Sequence, residues 1–117
     1  MKSILIVDDH AFSRSVIEKM LRDQGYAIYS AGDGQEAVEI FGNHSIDLLI
    51  TDLMMPKKNG FELMKELREL RPTLKIVAIS SAPRNVMEWA VSFGAHATIE
   101  KSTTQADLLR VVRDLLA

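Results

Sequence analysis

The chain has 117 residues, 47% hydrophobic and 26% charged, enough apolar material for one domain of ordinary soluble composition. A formal charge of −2 excludes the electrostatic footprint of a nucleic-acid or anionic-membrane binder, so neither is expected as a direct partner. The absence of cysteine excludes disulfides, thiolate metal sites and thiol catalysis; no apolar run reaches the ~20 residues of a membrane span, and a reducing compartment, the cytoplasm, is expected.

No repeat or low-complexity tract interrupts residues 1–117, which read as a single domain. "SILIVD" is short, β-branched and apolar on both faces, the pattern of a strand covered on two sides. Val16, Ile17, Met20 and Leu21 then form one stripe of a helix, with Gly25 placed to cap its C-terminus. "YAIYSA" is more mixed, as an edge strand would be. "DGQEAVEIF" starts a helix with Asp33 as N-cap and Glu36 three residues on. "DLLITD" reads as a third strand, "FELMKELREL" as an amphipathic helix and "KIVAIS" as a fourth strand. "NVMEWAVSFG" follows as a fourth helix and "HATIEK" as a mixed fifth strand. "TTQADLLRVVRDLL" closes the series as a helix capped by Thr103 or Thr104.

Five βα units in succession, joined by right-handed crossovers, give a parallel sheet with helices on both faces. The first, third and fourth strands are the most apolar and belong at the centre, which suits the order 2-1-3-4-5. Ligands of such sheets sit beyond the carboxyl ends of the strands, near the switch point between strands one and three.

That edge collects Asp8 and Asp9 from strand one, Asp52 from strand three, Ser80 from strand four and Lys101 from strand five. Each alone is an ordinary strand end or turn opening. Together they need a reason, because adjacent carboxylates repel and burying either is costly without a nearby positive charge. Magnesium supplies one, with Asp9 and Asp52 as direct ligands and Asp8 acting through a water. The Met54 backbone carbonyl adds a further oxygen, and manganese suits the same set. An aspartate also serves as nucleophile toward a phosphoryl group. Asp52, central and followed by a turn-rich loop, is the candidate. The cation, the Lys101 ammonium and the Ser80 hydroxyl would each take one equatorial oxygen. His10, His44 and His96 have no partner spacing and read as structural or surface residues.

The pieces "ILIVDD", "AGDGQEAVEIF", "DLLITDLMMPKKNG", "KIVAIS" and "GAHATIEK" cover nearly the whole chain. In that order they resemble the receiver domain of two-component response regulators, the chemotaxis regulator's family. The resemblance implies a flavodoxin-like (βα)5 three-layer α/β sandwich. It implies that Asp52 accepts phosphate from a histidine kinase or phosphotransfer protein, that Asp8 and Asp9 hold magnesium, and that Ser80 moves to the phosphoryl group. Such a protein is a stoichiometric phosphoacceptor rather than an enzyme with turnover. Two positions depart from the pattern. Ser102 follows the lysine where many members have proline, and Thr98 stands where many have an aromatic switch, so any relay must use other groups.

In the fourth helix, Val86, Met87, Trp89, Ala90, Val91 and Phe93 span roughly 200° of the wheel, while a core stripe needs about 100°. Val86, Ala90 and Phe93 fit the core. Met87, Trp89 and Val91, with Thr98, are then an expected partner face across helix four, strand five and helix five, for a homodimer or a downstream partner. Two other functions compete. A magnesium-dependent phosphatase with an aspartate nucleophile would want a second acid two residues beyond it, where His10 or Ala11 stands. A phosphorylation-independent binding module sits poorly with an intact acid set.

Overall fold

All ten predicted elements form, in the predicted order. The computed structural model describes residues 1–117. The elements are β1 (Ser3–Val7), α1 (Ala11–Leu21), β2 (Ala27–Ala31), α2 (Gly34–Asn43), β3 (Leu48–Thr51), α3 (Gly60–Leu70), β4 (Lys75–Ser80), α4 (Arg84–Ser92), β5 (Ala97–Glu100) and α5 (Gln105–Leu116). All pairings are parallel, and the strand order is β2-β1-β3-β4-β5. No helix is long and apolar enough to cross a membrane.

Alternation along each strand divides the core in two. Leu5, Val7, Leu49, Ile76 and Ala78 face α2, α3 and α4. Ile4, Ile6, Leu48, Ile50, Val77, Ile79 and Ile99 face α1 and α5. The middle strands β1, β3 and β4 are buried on both faces, which explains why they read as continuous apolar runs. Burying each of these side chains contributes roughly 1.5–3 kcal/mol.

The helix starts follow from side-chain capping. Asp33 accepts from the Glu36 N–H, Thr104 rather than Thr103 accepts from the Asp107 N–H, and Asn59 with Glu62 forms a full capping box on α3. The end of α1 differs from expectation. The helix stops at Leu21, and both Asp23 (φ 62°) and Gly25 (φ 86°) are left-handed, so Gly25 serves the turn beyond the cap. The Lys101–Ser102 peptide is trans, as are all others.

Helix α4 corrects the expected partner face. Met87 is only 7% exposed and belongs to the core with Ala90, while Val86 is half-buried. Phe93, expected inside, is 57% exposed, as are Trp89 (57%) and Val91 (56%). Phe93, the C-cap, still bonds its N–H to the Trp89 carbonyl, but the buried stripe is centred on Met87 and Ala90, which turns Phe93 outward; its ring meets Phe61 of α3 edge-on at 5.2 Å. Thr98 is half-buried in β5, in register with Ala78.

At the opposite sheet edge from the acids, the Ile76 N–H donates to His96 Nδ1 (3.1 Å). His96 is exposed overall, but partial desolvation of its ring, then the charges of Arg68 and Lys75, hold its pKa below the ordinary 6.5. The unfolded chain therefore takes the proton more readily than the native one. The contribution of His96 is complete above pH 6.5 and is lost as pH falls through 6.5 toward the lowered value. Urea unfolding at about pH 7.5 and about pH 5 is expected to show a larger acid loss for wild type than for His96→Gln. Equal losses would remove His96 from the account.

Candidate functional site

The hydrogen-bond ladder of the sheet continues one residue past the strands and sets the site. The Asp52 N–H donates to the Val7 carbonyl (2.9 Å), the Asp8 N–H to Ala31 (3.2 Å) and the Lys101 N–H to Ser80 (3.1 Å). These bonds tie the ends of β2, β1 and β3 together and those of β4 and β5 together, and the β3–β4 ladder sets the two groups side by side.

Their side chains converge. Lys101 Nζ lies 2.9 Å from Asp8 Oδ2 and 3.1 Å from Asp52 Oδ2. The contact with Asp52 is a hydrogen bond; the one with Asp8 is a close ion pair without hydrogen-bond alignment. Asp52 Oδ1 accepts from the Leu53 N–H (2.7 Å), and Asp8 Oδ1 from the His10 N–H (2.9 Å). Asp8 is fully buried and Asp52 nearly so, while Asp9 is half-buried. Partial burial disfavours the Lys101 ammonium, but Asp8 and Asp52 outweigh it and raise its pKa above 10.5. The ammonium is a fixed positive charge at neutral pH.

Three carboxylates face one ammonium, a shortfall of two positive charges. Arg14 does not close it, because its Nη1 donates to the Asp8 backbone carbonyl (2.7 Å). Asp8 Oδ2 has only the Lys101 ammonium, which it shares with Asp52, and Asp9 Oδ1 is buried without any hydrogen-bond partner, an expensive state that native structures seldom leave uncompensated. One ligand atom from each of Asp8, Asp9, His10 and Asp52 lies within 4.8 Å of the others. The missing charge and the hard oxygen donors fit a divalent cation such as magnesium.

Beside this cluster lies an open cleft of about 430 Å³, with Asp52, Lys101, Met54, Ser80, Ala82 and His10 on its walls. Ser80 is buried, and its Oγ accepts from the Ala82 N–H (3.1 Å), which leaves its own O–H free to donate. Met54 is 64% exposed at the rim. A larger groove of about 690 Å³ runs between the start of α2 and the loop before α3. Its lining is charged, with lysines opposite acids and no buried unpaired group, so the smaller cleft is the one suited to chemistry.

Lys101 thus meets Asp8 and Asp52 directly, Asp9 stands within 4.8 Å of the other acids, and Ser80 and Met54 share the cleft of Asp52 and Lys101. The partner-face residues lie elsewhere, on α4 and β5. Sequence reasoning missed two residues. His10, read as peripheral, stands at the mouth of the acid cluster. Arg14 holds the turn that carries both acids; its place one helical turn after His10 was the available signal.

The family model for the response regulator receiver domain matches residues 4–113. Transcriptional regulatory protein PdtaR of Mycobacterium tuberculosis is 36% identical over 112 residues, covering 95% of this chain and 55% of that protein. Transcriptional regulatory protein CpxR of Escherichia coli is 32% identical over 116 residues, covering 99% and 50% respectively. The chain spans about half the length of these curated relatives. Among solved structures, response regulator TrrA of Thermotoga maritima, in complex with Mg2+-BeF, superimposes with a TM-score of 0.89 at 31% identity, covering 98% of this chain and 99% of that one. NtrX of Brucella abortus gives 0.94 at 27% identity, over 99% of this chain and 27% of that one. From first strand to last helix the match is unbroken, and this chain belongs to the receiver-domain family of two-component response regulators.

Proposed function

We propose that Asp52 accepts a phosphoryl group from a histidine kinase or phosphotransfer protein, with a divalent cation held by Asp8, Asp9, Asp52 and the Met54 carbonyl. The observation that carries this reading is that Lys101 alone bridges Asp8 and Asp52, while the buried Oδ1 of the neighbouring Asp9 has no hydrogen-bond partner. A cavity built for stability alone would not bury two acids and part of a third around a single lysine. The solved complex of the TrrA relative with Mg2+-BeF supports the choice of cation.

In the transfer, a carboxylate oxygen of Asp52 bonds to phosphorus as the donor's bond to phosphorus breaks, the electron pair leaving with the donor. Lys101 neutralises charge on one phosphoryl oxygen, and the free Ser80 O–H donates to another. The Leu53 N–H holds the carboxylate in place. When bound, the cation supplies charge neutralisation that lets donor and acceptor approach. The chemistry is stoichiometric. Wild type incubated with acetyl phosphate and magnesium is expected to gain the mass of one phosphoryl group, and to gain nothing when EDTA replaces the cation. Equal gain in EDTA would overturn the assignment of the acids.

Phosphorylation then controls a partner, or a second copy, through α4, β5 and α5. With Met87 in the core, the available apolar groups on α4 are Trp89 and Val91. Trp89→Lys with Val91→Lys is expected to weaken phosphorylation-dependent association several-fold by analytical ultracentrifugation or pull-down, with phosphate gain intact. Unaltered association would remove α4 from the interface.

A further inference from the structure

We propose that the cation site also takes a nitrogen-preferring divalent transition ion (zinc, cobalt or nickel), with the His10 imidazole as an added ligand. The inference rests on the cation reading above and concerns which ion that site prefers.

The position of His10 is fixed by the acids themselves. Its N–H donates to Asp8 Oδ1 (2.9 Å), and as the N-cap of α1 it makes no side-chain capping bond. The imidazole is therefore brought to the cluster while its nitrogens remain unspent. Nδ1 lies 3.6 Å from Asp9 Oδ1 and 3.8 Å from Asp8 Oδ1. Two ligands ~2.1 Å from a tetrahedral ion stand about 3.4 Å apart, so these separations are within a few tenths of an ångström of shared ligation. The side chain is 71% exposed and makes no capping hydrogen bond that ligation would have to break. Opposite it, Asp9 Oδ1 is buried without a hydrogen-bond partner, and the fully buried Asp8 has its Oδ2 held only by Lys101 at 2.9 Å.

Chemistry then separates the ions. Magnesium prefers oxygen ligands and keeps its waters. Imidazole suits zinc, cobalt, nickel and copper, whose affinities already exceed those of the earlier divalent ions at mixed nitrogen and oxygen sites. A carboxylate-only cluster would rank these ions over magnesium modestly; an adjacent imidazole widens the gap. Because the same acid oxygens are used, such an ion displaces magnesium rather than adding to it.

The test is cobalt titration of wild type, His10→Ala and His44→Ala, read by visible absorption, with magnesium affinity measured in parallel by calorimetry. The ratio of cobalt to magnesium affinity is expected to fall at least ~tenfold in His10→Ala, since even outer partners of metal ligands are worth that much. His44→Ala should retain the wild-type ratio. A ratio unchanged by His10→Ala, with magnesium still bound, would overturn this inference alone. Wild type that binds neither ion would overturn both it and the cation reading.

Discussion

Asp52→Asn is expected to gain no phosphoryl mass after incubation with acetyl phosphate and magnesium, under conditions where wild type is converted. The substitution is close to isosteric. Its side-chain oxygen still accepts from the Leu53 N–H, and Lys101 keeps its 2.9 Å contact with Asp8. The fold should persist, as judged by circular dichroism, so the loss would report the nucleophile and not the scaffold. An amide oxygen is a far weaker nucleophile than a carboxylate, so the expected residual rate is at background. The two other acids are poor substitutes. Asp8 is fully buried against Lys101, and Asp9 is not among the residues on the cleft wall, whereas Asp52 is. A variant phosphorylated at the wild-type rate would force the acceptor elsewhere.

Gly60→Ala should be the most damaging small substitution in the chain. Alanine in place of a helical glycine ordinarily gains roughly 0.5–1 kcal/mol. At Gly60 an added Cβ would stand 2.1 Å from the Asp52 carbonyl oxygen and 2.8 Å from Leu53 Cα, and those neighbours are backbone with no rotamer to yield. The Gly60 N–H also donates to the Leu53 carbonyl (2.9 Å), so the close approach is built into the loop. Overpacking costs about 1–3 kcal/mol, and a rigid partner puts this site at the upper end. A fall in Tm of roughly 10 °C or more is expected. Gly42 is the control, having nothing within 4 Å of an added Cβ; Gly42→Ala should be neutral or mildly stabilising. Because the obstruction presses on the acceptor residue itself, Gly60→Ala should also slow phosphate gain. A Tm matching wild type would show that the loop yields more easily than its geometry suggests.

What could be read from the sequence was what depends on periodicity and order. β1, β3 and β4 announce themselves because burial on both faces leaves no room for polar residues, and the same fact fixes them as central. Once the strands are parallel, any polar residue just past a strand falls on one edge, so Asp8, Asp52 and Lys101 could be grouped before any distance was known. Helix α4 was less legible. Its apolar residues exceed one stripe, so more than one register satisfies the pattern; packing selects the one centred on Met87 and Ala90 and leaves Phe93 against Phe61. The clearance at Gly60 and the reach of Arg14 to a carbonyl are contacts between segments, which no local pattern encodes. His10 was visible as a residue but not as a neighbour, since nothing in its spacing tells which way α1 begins.

Parallel strands also give the molecule a floor as well as a roof. Beneath the sheet, the Ser3 N–H donates to Asp47 Oδ2 (2.9 Å), Arg71 donates to the Ile46 carbonyl, and His96 receives Ile76. These tethers hold the strand beginnings, a full strand length away from the acids. Robustness and reactivity are thus seated at opposite poles of one sheet. An engineer could harden this protein by working on its underside alone, leaving the reactive rim untouched.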